Sequence, residues 1–177
     1  MGRSDAMAIE HFGDQHPRVD PTAFVHAAAL LIGDVVIGPE SSVWPHATLR
    51  GDDGPIVIGS RTSIQDNAVI HCTEGLSWTK IGDRVTVGHS AILHGCTIHD
   101  DVLIGMGSIV LDNAIVESGA LVAAGTLVPP GKIVRAGTVV AGNPMKVLRE
   151  CRDKDREMIE VGWRAYVRRA AQYASGK

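Results

Sequence analysis

An aliphatic residue returns every sixth position along most of this chain. Val19, Val25, Leu31, Ile37, Val43 and Leu49 open the series, and Ile58, Ile64 and Ile70 continue it. Ile81, Val87 and Leu93 follow, and Ile98, Ile104, Val110, Val116, Val122, Val128, Val134 and Val140 complete it. Glycine often stands directly after the aliphatic residue, as in Ile37-Gly38, Ile58-Gly59 and Ile104-Gly105. Four residues after it comes a small or β-branched side chain, such as Ala29, Ala47, Ala68, Ala91 or Ala114. A helix does not tolerate a strict period of six with so many glycines and β-branched residues. Hairpins would need longer strands and their own turn dipeptides. A hexapeptide period predicts a parallel β-helix, in which each repeat supplies one short strand and one corner. Three repeats make a triangular coil, and coils stack about 4.8 Å apart. Roughly six or seven coils are expected.

The period breaks in three places. Leu49 to Ile58 is nine residues, Ile70 to Ile81 is eleven, and Leu93 to Ile98 is five. Insertions in a solenoid emerge as loops on one side, often the binding side. From about Met145 the hexapeptides stop. Ile159, Trp163, Tyr166, Val167, Ala170 and Tyr173 then fall at three- and four-residue steps, which predicts an amphipathic helix starting near Asp153 or Asp155. The expected organisation is an N-terminal tail over 1–14, an all-β parallel β-helix over 15–145, and a C-terminal helix within 146–177 packed back on the solenoid.

Composition narrows the function classes. The formal charge is −3, so there is no basic footprint for nucleic acid. No apolar run is long enough to span a membrane, and the opening stretch "MGRSDAMAIEHFGDQ" lacks the apolar segment of a secretory signal. Three cysteines without paired spacing predict free thiols and a cytoplasmic protein. Aromatics make up only 4% of the chain, so the core is expected to be small aliphatics in a regular array.

The period also fixes columns. Repeats three apart share a face, one coil above the next, so Arg50, His71 and His94 each take the slot after an inward aliphatic residue on one face. Strand alternation turns that slot outward. Two outward imidazoles one strand spacing apart either share a metal, with Zn–N near 2.0–2.1 Å, or are plain surface histidines. His89 belongs to another column, above Asp66 and beside Gln65, around the corner of the prism. It can join His71 and His94 only from a neighbouring subunit. A triangular prism packed in a three-fold ring allows this, which predicts a homotrimer. His11, His16, His26, His46 and His99 fall outside these columns and read as surface or packing residues.

The stretches "LRGDDGPIVIGSRTSIQDNAVIHC", "IGDRVTVGHSAILHGCTI" and "VLIGMGSIVLDNAIV", followed by "VVAGNPMKVLR", resemble the gamma-class carbonic anhydrase family over roughly residues 15–170. The resemblance implies a left-handed coil, which the period alone does not specify. It implies a metal held by His71, His89 and His94 across a trimer interface: zinc, with iron or cobalt as alternatives. It implies hydration of CO2 to bicarbonate by metal-bound hydroxide, a reaction family that is itself the usual example of a metal lowering the pKa of water. Arg50 and Asp52 match residues of interface pairing and bicarbonate binding, Asp66 an acid that helps fix the arginine, and Gln65 a residue that hydrogen-bonds the hydroxide. Two departures stand out. The loop "CTEGLSWTK" is short and offers only Glu74 as a proton relay, and near the C-terminal helix "YVRR" aligns Tyr166 but puts Arg168 where the family has an amide.

Simpler readings accompany each residue. Glu74 is otherwise a solvated loop carboxylate, Asp52 a partner of Arg50, Asp66 an orienting group, and Cys72 and Cys96 small buried thiols. Trp44, Trp78 and Trp163 read as packing residues. The competing functions are a metal-dependent hydrolase of acyl-CoA thioesters, a scaffold that keeps the metal site, and a hexapeptide acyltransferase. Acyltransferases of this repeat use a lone catalytic histidine, so three histidines with Gln65 argue against the last.

Overall fold

The computed structural model describes residues 8–176. Their chain winds into a parallel β-solenoid of about seven turns with one C-terminal helix, the left-handed β-helix expected above. Each coil has three faces. The first stacks Val69–His71, Ile92–His94, Ile109–Val110 and Leu127–Val128 upon the leading half of the long strand Thr48–Ile58. The trailing half of that strand begins the second face, continued by Thr79–Ile81, Thr97–Ile98, Ile115–Val116 and Ile133–Val134. The third face runs from Phe24–Val25 through Ser42–Val43, Ser63–Ile64, Thr86–Val87, Leu103–Ile104 and Leu121–Val122 to Thr138–Ala141.

The inward column is the hexapeptide aliphatic. Leu31, Leu49, Ile64, Ile70, Val87, Leu93, Ile104 and Val110 have no exposed surface. The small residue four positions later, as at Ala47, Ala68, Ala91 and Ala114, is equally buried and fills the corner. At two corners that position is polar and bonded: Ser41 Oγ donates to the Gly59 carbonyl at 2.6 Å and Thr62 Oγ1 to that of Gly82 at 2.7 Å, whereas the buried Thr126 hydroxyl has no partner among the described residues. Both insertions leave at the corner between the first and second faces. The Gly51–Pro55 segment lies within the continuous strand Thr48–Ile58, and 72–78 is the loop joining Val69–His71 to Thr79–Ile81.

Two boundaries differ from expectation. Residues 1–7 of the expected tail lie outside the described residues, but Ala8–Glu10 is a strand, paired in parallel with Leu30–Ile32. It covers the leading half of Leu30–Ile37, whose trailing half is already paired with Arg18–Val19. At the other end the helix begins at Asp153, as its spacing predicts, but the stretch assigned with it opens differently. Lys146–Glu150 first turns back as an antiparallel strand on Thr138–Ala141, capping an edge that would otherwise stay open. The helix runs Asp153–Ala174 and lies along the third face. Ile159, Trp163 and Ala170 are its buried stripe. Phe24, Trp44, Tyr166 and Tyr173 form a chain of ring contacts, 5.3–5.8 Å between centroids, that clasps its second half. No helix among the described residues is long and apolar enough to cross a membrane.

Candidate metal centre

Strand register brings His71 and His94 together. The two are Cα partners on adjacent coils, and Leu49 pairs with Ile70, so Arg50 takes the same column one coil below His71. The rings meet edge to face, with His71 Nδ1 3.2 Å from His94 Nε2. The other nitrogen of each ring is on carboxylates. His71 Nε2 lies 3.1 Å from Asp52 and 3.3 Å from Asp53. His94 Nδ1 lies 3.2 Å from both oxygens of Asp112.

These contacts set the tautomers. A ring N–H that donates to a carboxylate leaves the opposite nitrogen as an acceptor. With both rings neutral, the two nitrogens that face each other at 3.2 Å are both lone pairs. That arrangement repels unless a proton or a cation lies between them. Two nitrogens on one tetrahedral zinc, each about 2.0–2.1 Å away, stand about 3.3–3.4 Å apart. The 3.2 Å separation of the pair is close to that of two ligands on one such ion. Metal-binding histidines are characteristically oriented by such carboxylates.

His89 lies elsewhere. It follows the third-face strand Thr86–Val87, whose partner Ser63–Ile64 places Asp66 directly below it. Its Nδ1 is 2.9 Å from Asp66, which leaves Nε2 as the ring's other nitrogen, and the side chain is half-exposed. Gln65, only 5% exposed, sits beside it and makes no side-chain hydrogen bond among the described residues. Tyr166 comes to the same corner from the helix. Burial pushes its phenol up, Arg169 opposes this and Asp66 reinforces it.

The chain also holds a compact donor group of its own: Asp52, Asp53 and His71 carry ligand atoms close enough to hold a metal ion. Asp52 is already engaged by Arg50, whose NH1 donates to it at 2.6 Å. Burial pushes the Asp52 carboxyl up, but the hydrogen bonds from Arg50 and His71 outweigh this and hold it below its ordinary value. The second Arg50 amine is 3.4 Å from His71 Nδ1, facing the same gap as His94. Glu74 is an exposed turn residue of the 72–78 loop. Cys72 and Cys96 are fully buried, and burial raises their thiols to about 11 and 12. Trp44 and Trp163 are buried in packing, whereas Trp78 is exposed on the loop.

Comparison with known proteins adds to this geometry. Residues 95–130 match the model of the "Bacterial transferase hexapeptide (six repeats)" family. A carbonic anhydrase of Geobacillus kaustophilus is 46% identical over 157 residues, covering 89% of this chain and 86% of that protein. The chain belongs to the gamma-class carbonic anhydrase-like family. Within that family, mitochondrial gamma carbonic anhydrase 2 of Arabidopsis thaliana is 44% identical over 92% of this chain, which spans only 60% of the plant protein. A crystal structure described as a hexapeptide transferase family protein, from Anaplasma phagocytophilum, superposes with a TM-score of 0.90 at 41% identity, covering 94% of this chain and 98% of that one.

Three neighbours of the histidines escaped the sequence reading: Asp53, Ser77 and Asp112. The column rule could have found Asp112, since Val110 stacks on Leu93 and Asp112 therefore lies over Gly95, next to His94. Asp53 and Ser77 belong to insertions, where the period says nothing about side-chain direction.

Proposed function

We propose that this protein is a metal-dependent CO2 hydratase that works as a homotrimer, with His71 and His94 of one chain and His89 of the next as the metal ligands. The observation that carries the reading is the pair of facing lone-pair nitrogens on His71 and His94, each ring backed by carboxylates, with a third carboxylate-backed imidazole at the next corner. Zinc is the proposed ion, with iron or cobalt as alternatives. An ion so held acidifies water and supplies a nucleophile near neutral pH.

The chain's own residues have separate tasks. Arg50, pinned by Asp52, offers donors for the bicarbonate that forms. Gln65 is preorganised by burial and has unspent hydrogen-bonding capacity to orient a polar reactant. Asp66 holds the His89 ring through Nδ1, which leaves Nε2 as the ligand nitrogen. Tyr166 closes that corner, and Glu74 is the loop acid available to pass protons to solvent. The outward apolar ladder of Val69 and Ile92, 40% and 37% exposed, continued by Ile109 and Leu127, lies on the face that carries His71 and His94 and suits a second copy of the chain. Three unbridged thiols favour a cytoplasmic setting.

The test is metal content and stopped-flow CO2 hydration on protein purified without oxygen, beside a panel of acyl-CoA thioesters. About one metal per chain and CO2 hydration are expected. Metal-replete protein that cleaves thioesters and leaves CO2 untouched would replace this reading with the hydrolase. Metal-replete protein inert to both would make it a scaffold.

A further inference from the structure

The loop 72–78 carries, next to its last residue, a serine that reaches back to the histidine pair. Ser77 Oγ donates to Asp112 Oδ1 at 2.5 Å and accepts the Thr73 backbone N–H at 3.0 Å. Asp112 in turn presents both carboxylate oxygens to His94 Nδ1 at 3.2 Å. A continuous chain of hydrogen bonds thus runs from the loop backbone to one imidazole. Gly95 makes room for it. A Cβ on that residue would collide with Ser77 Oγ and with Asp112 Oδ1. Its backbone N–H is bonded to Thr79 Oγ1 at 2.9 Å, and Thr79 Oγ1 donates to the His71 carbonyl at 2.6 Å, so the strand on either side is also pinned.

We propose that Asp112 is a positioning residue for metal binding, and that the short loop serves to hold it, through Ser77, in the orientation that keeps His94 Nε2 a lone pair aimed at His71. This rests on the reading of His94 as a metal ligand. The carboxylate anchors the proton on Nδ1. Ser77 saturates one of its oxygens and fixes its rotamer. The loop's contribution is then structural order at the ligand, beside the exposed Glu74 that it also carries. Such backing groups commonly change metal affinity by about 10–100-fold.

The experiment uses the full chain with Asp112→Ala, Asp112→Asn and Ser77→Ala. Zinc affinity is measured by competition with a chromophoric chelator, and the tautomer of His94 by ¹⁵N chemical shifts in the metal-free protein. Asp112→Ala is expected to weaken zinc binding about 10–100-fold and to release His94 into a mixture of tautomers. Asp112→Asn, whose side-chain oxygen still accepts from Nδ1, should restore the tautomer and part of the affinity. Ser77→Ala should fall between wild type and Asp112→Ala. A wild-type His94 spectrum and wild-type zinc affinity in Asp112→Ala would overturn the proposal. If the unmodified protein binds no zinc, the metal reading fails, and the tautomer shift alone then decides whether Asp112 positions His94.

Discussion

His71 Nδ1 and His94 Nε2 face each other across 3.2 Å, each on a ring whose other nitrogen is taken by carboxylates. One protomer therefore offers two adjacent lone pairs and no third histidine. His89 follows a strand of a different face and is held there by Asp66.

That division predicts complementation. His71→Ala and His89→Ala chains should each bind no metal as homotrimers. Co-assembled, they bring one intact set of three imidazoles together at an interface where a His89→Ala chain supplies His71 and His94 and a His71→Ala chain supplies His89. Mixed trimers isolated with two affinity tags are expected to recover metal at a fraction of the wild-type content. Verified mixed trimers that remain metal-free would rule out a site shared between chains.

Ile92 stands on the outward side of the strand that carries His94. A charged residue there adds little to the folding free energy of an isolated chain, within about 0.5 kcal/mol for an exposed site. Buried between copies, the same charge would be unpaired and costly. Ile92→Asp is therefore expected to yield monomers by sedimentation, with wild-type circular dichroism and no bound metal. A trimer that keeps its metal would place the interface elsewhere.

Much of this was legible because one number, six, sets both the inward positions and the stacking. It put Arg50, His71 and His94 in one column and His89 over Asp66 around the corner, as the strand registers have them. The same rule is silent where the period lapses. Asp53 lies in the first insertion and Ser77 in the second, and both turn inward toward the histidines for reasons of loop geometry. Lys146–Glu150 was hidden for another reason. Val147 and Leu148 in this strand are both 60% exposed, so no alternation of buried and exposed positions marked it before the structure paired it with Thr138–Ala141.

Gly95 and Gly125 separate the cost of backbone conformation from the cost of crowding. Both have positive φ, 60° and 68°. At Gly125 nothing lies within 4 Å of an added Cβ, whereas at Gly95 the Ser77 and Asp112 side chains occupy the space. Gly125→Ala should cost roughly 1–2 kcal/mol, the penalty for a left-handed backbone with a side chain. Gly95→Ala should cost more in urea unfolding, and it should also weaken zinc binding, because the added methyl group displaces the contacts that orient His94. Equal destabilisation by the two substitutions would mean that the cluster above Gly95 is loosely held.

The junction between solenoid and helix rests on Asp155, which is buried at the helix start. Its carboxylate accepts hydrogen bonds from Arg149 NH1 and NH2 at 2.5 and 3.1 Å and from the Arg152 backbone N–H at 2.8 Å. Arg149 first, and the Arg152 backbone second, hold its carboxyl down at about 2, against an ordinary value of 3.8. A carboxyl with a lowered folded-state value stabilises fully above its unfolded value and ceases to do so as pH falls through the folded one. The contribution should therefore be whole near neutral pH and vanish between about pH 4 and pH 2. Asp155→Asn keeps an acceptor for Arg152 and removes the charge. Its thermal midpoint is expected to lie below that of the wild type at pH 7, and the gap should close as the pH approaches 2. A gap of constant size across that range would mean that the charge of Asp155 contributes nothing, and that the helix is held on the third face by Ile159, Trp163 and the aromatic chain alone.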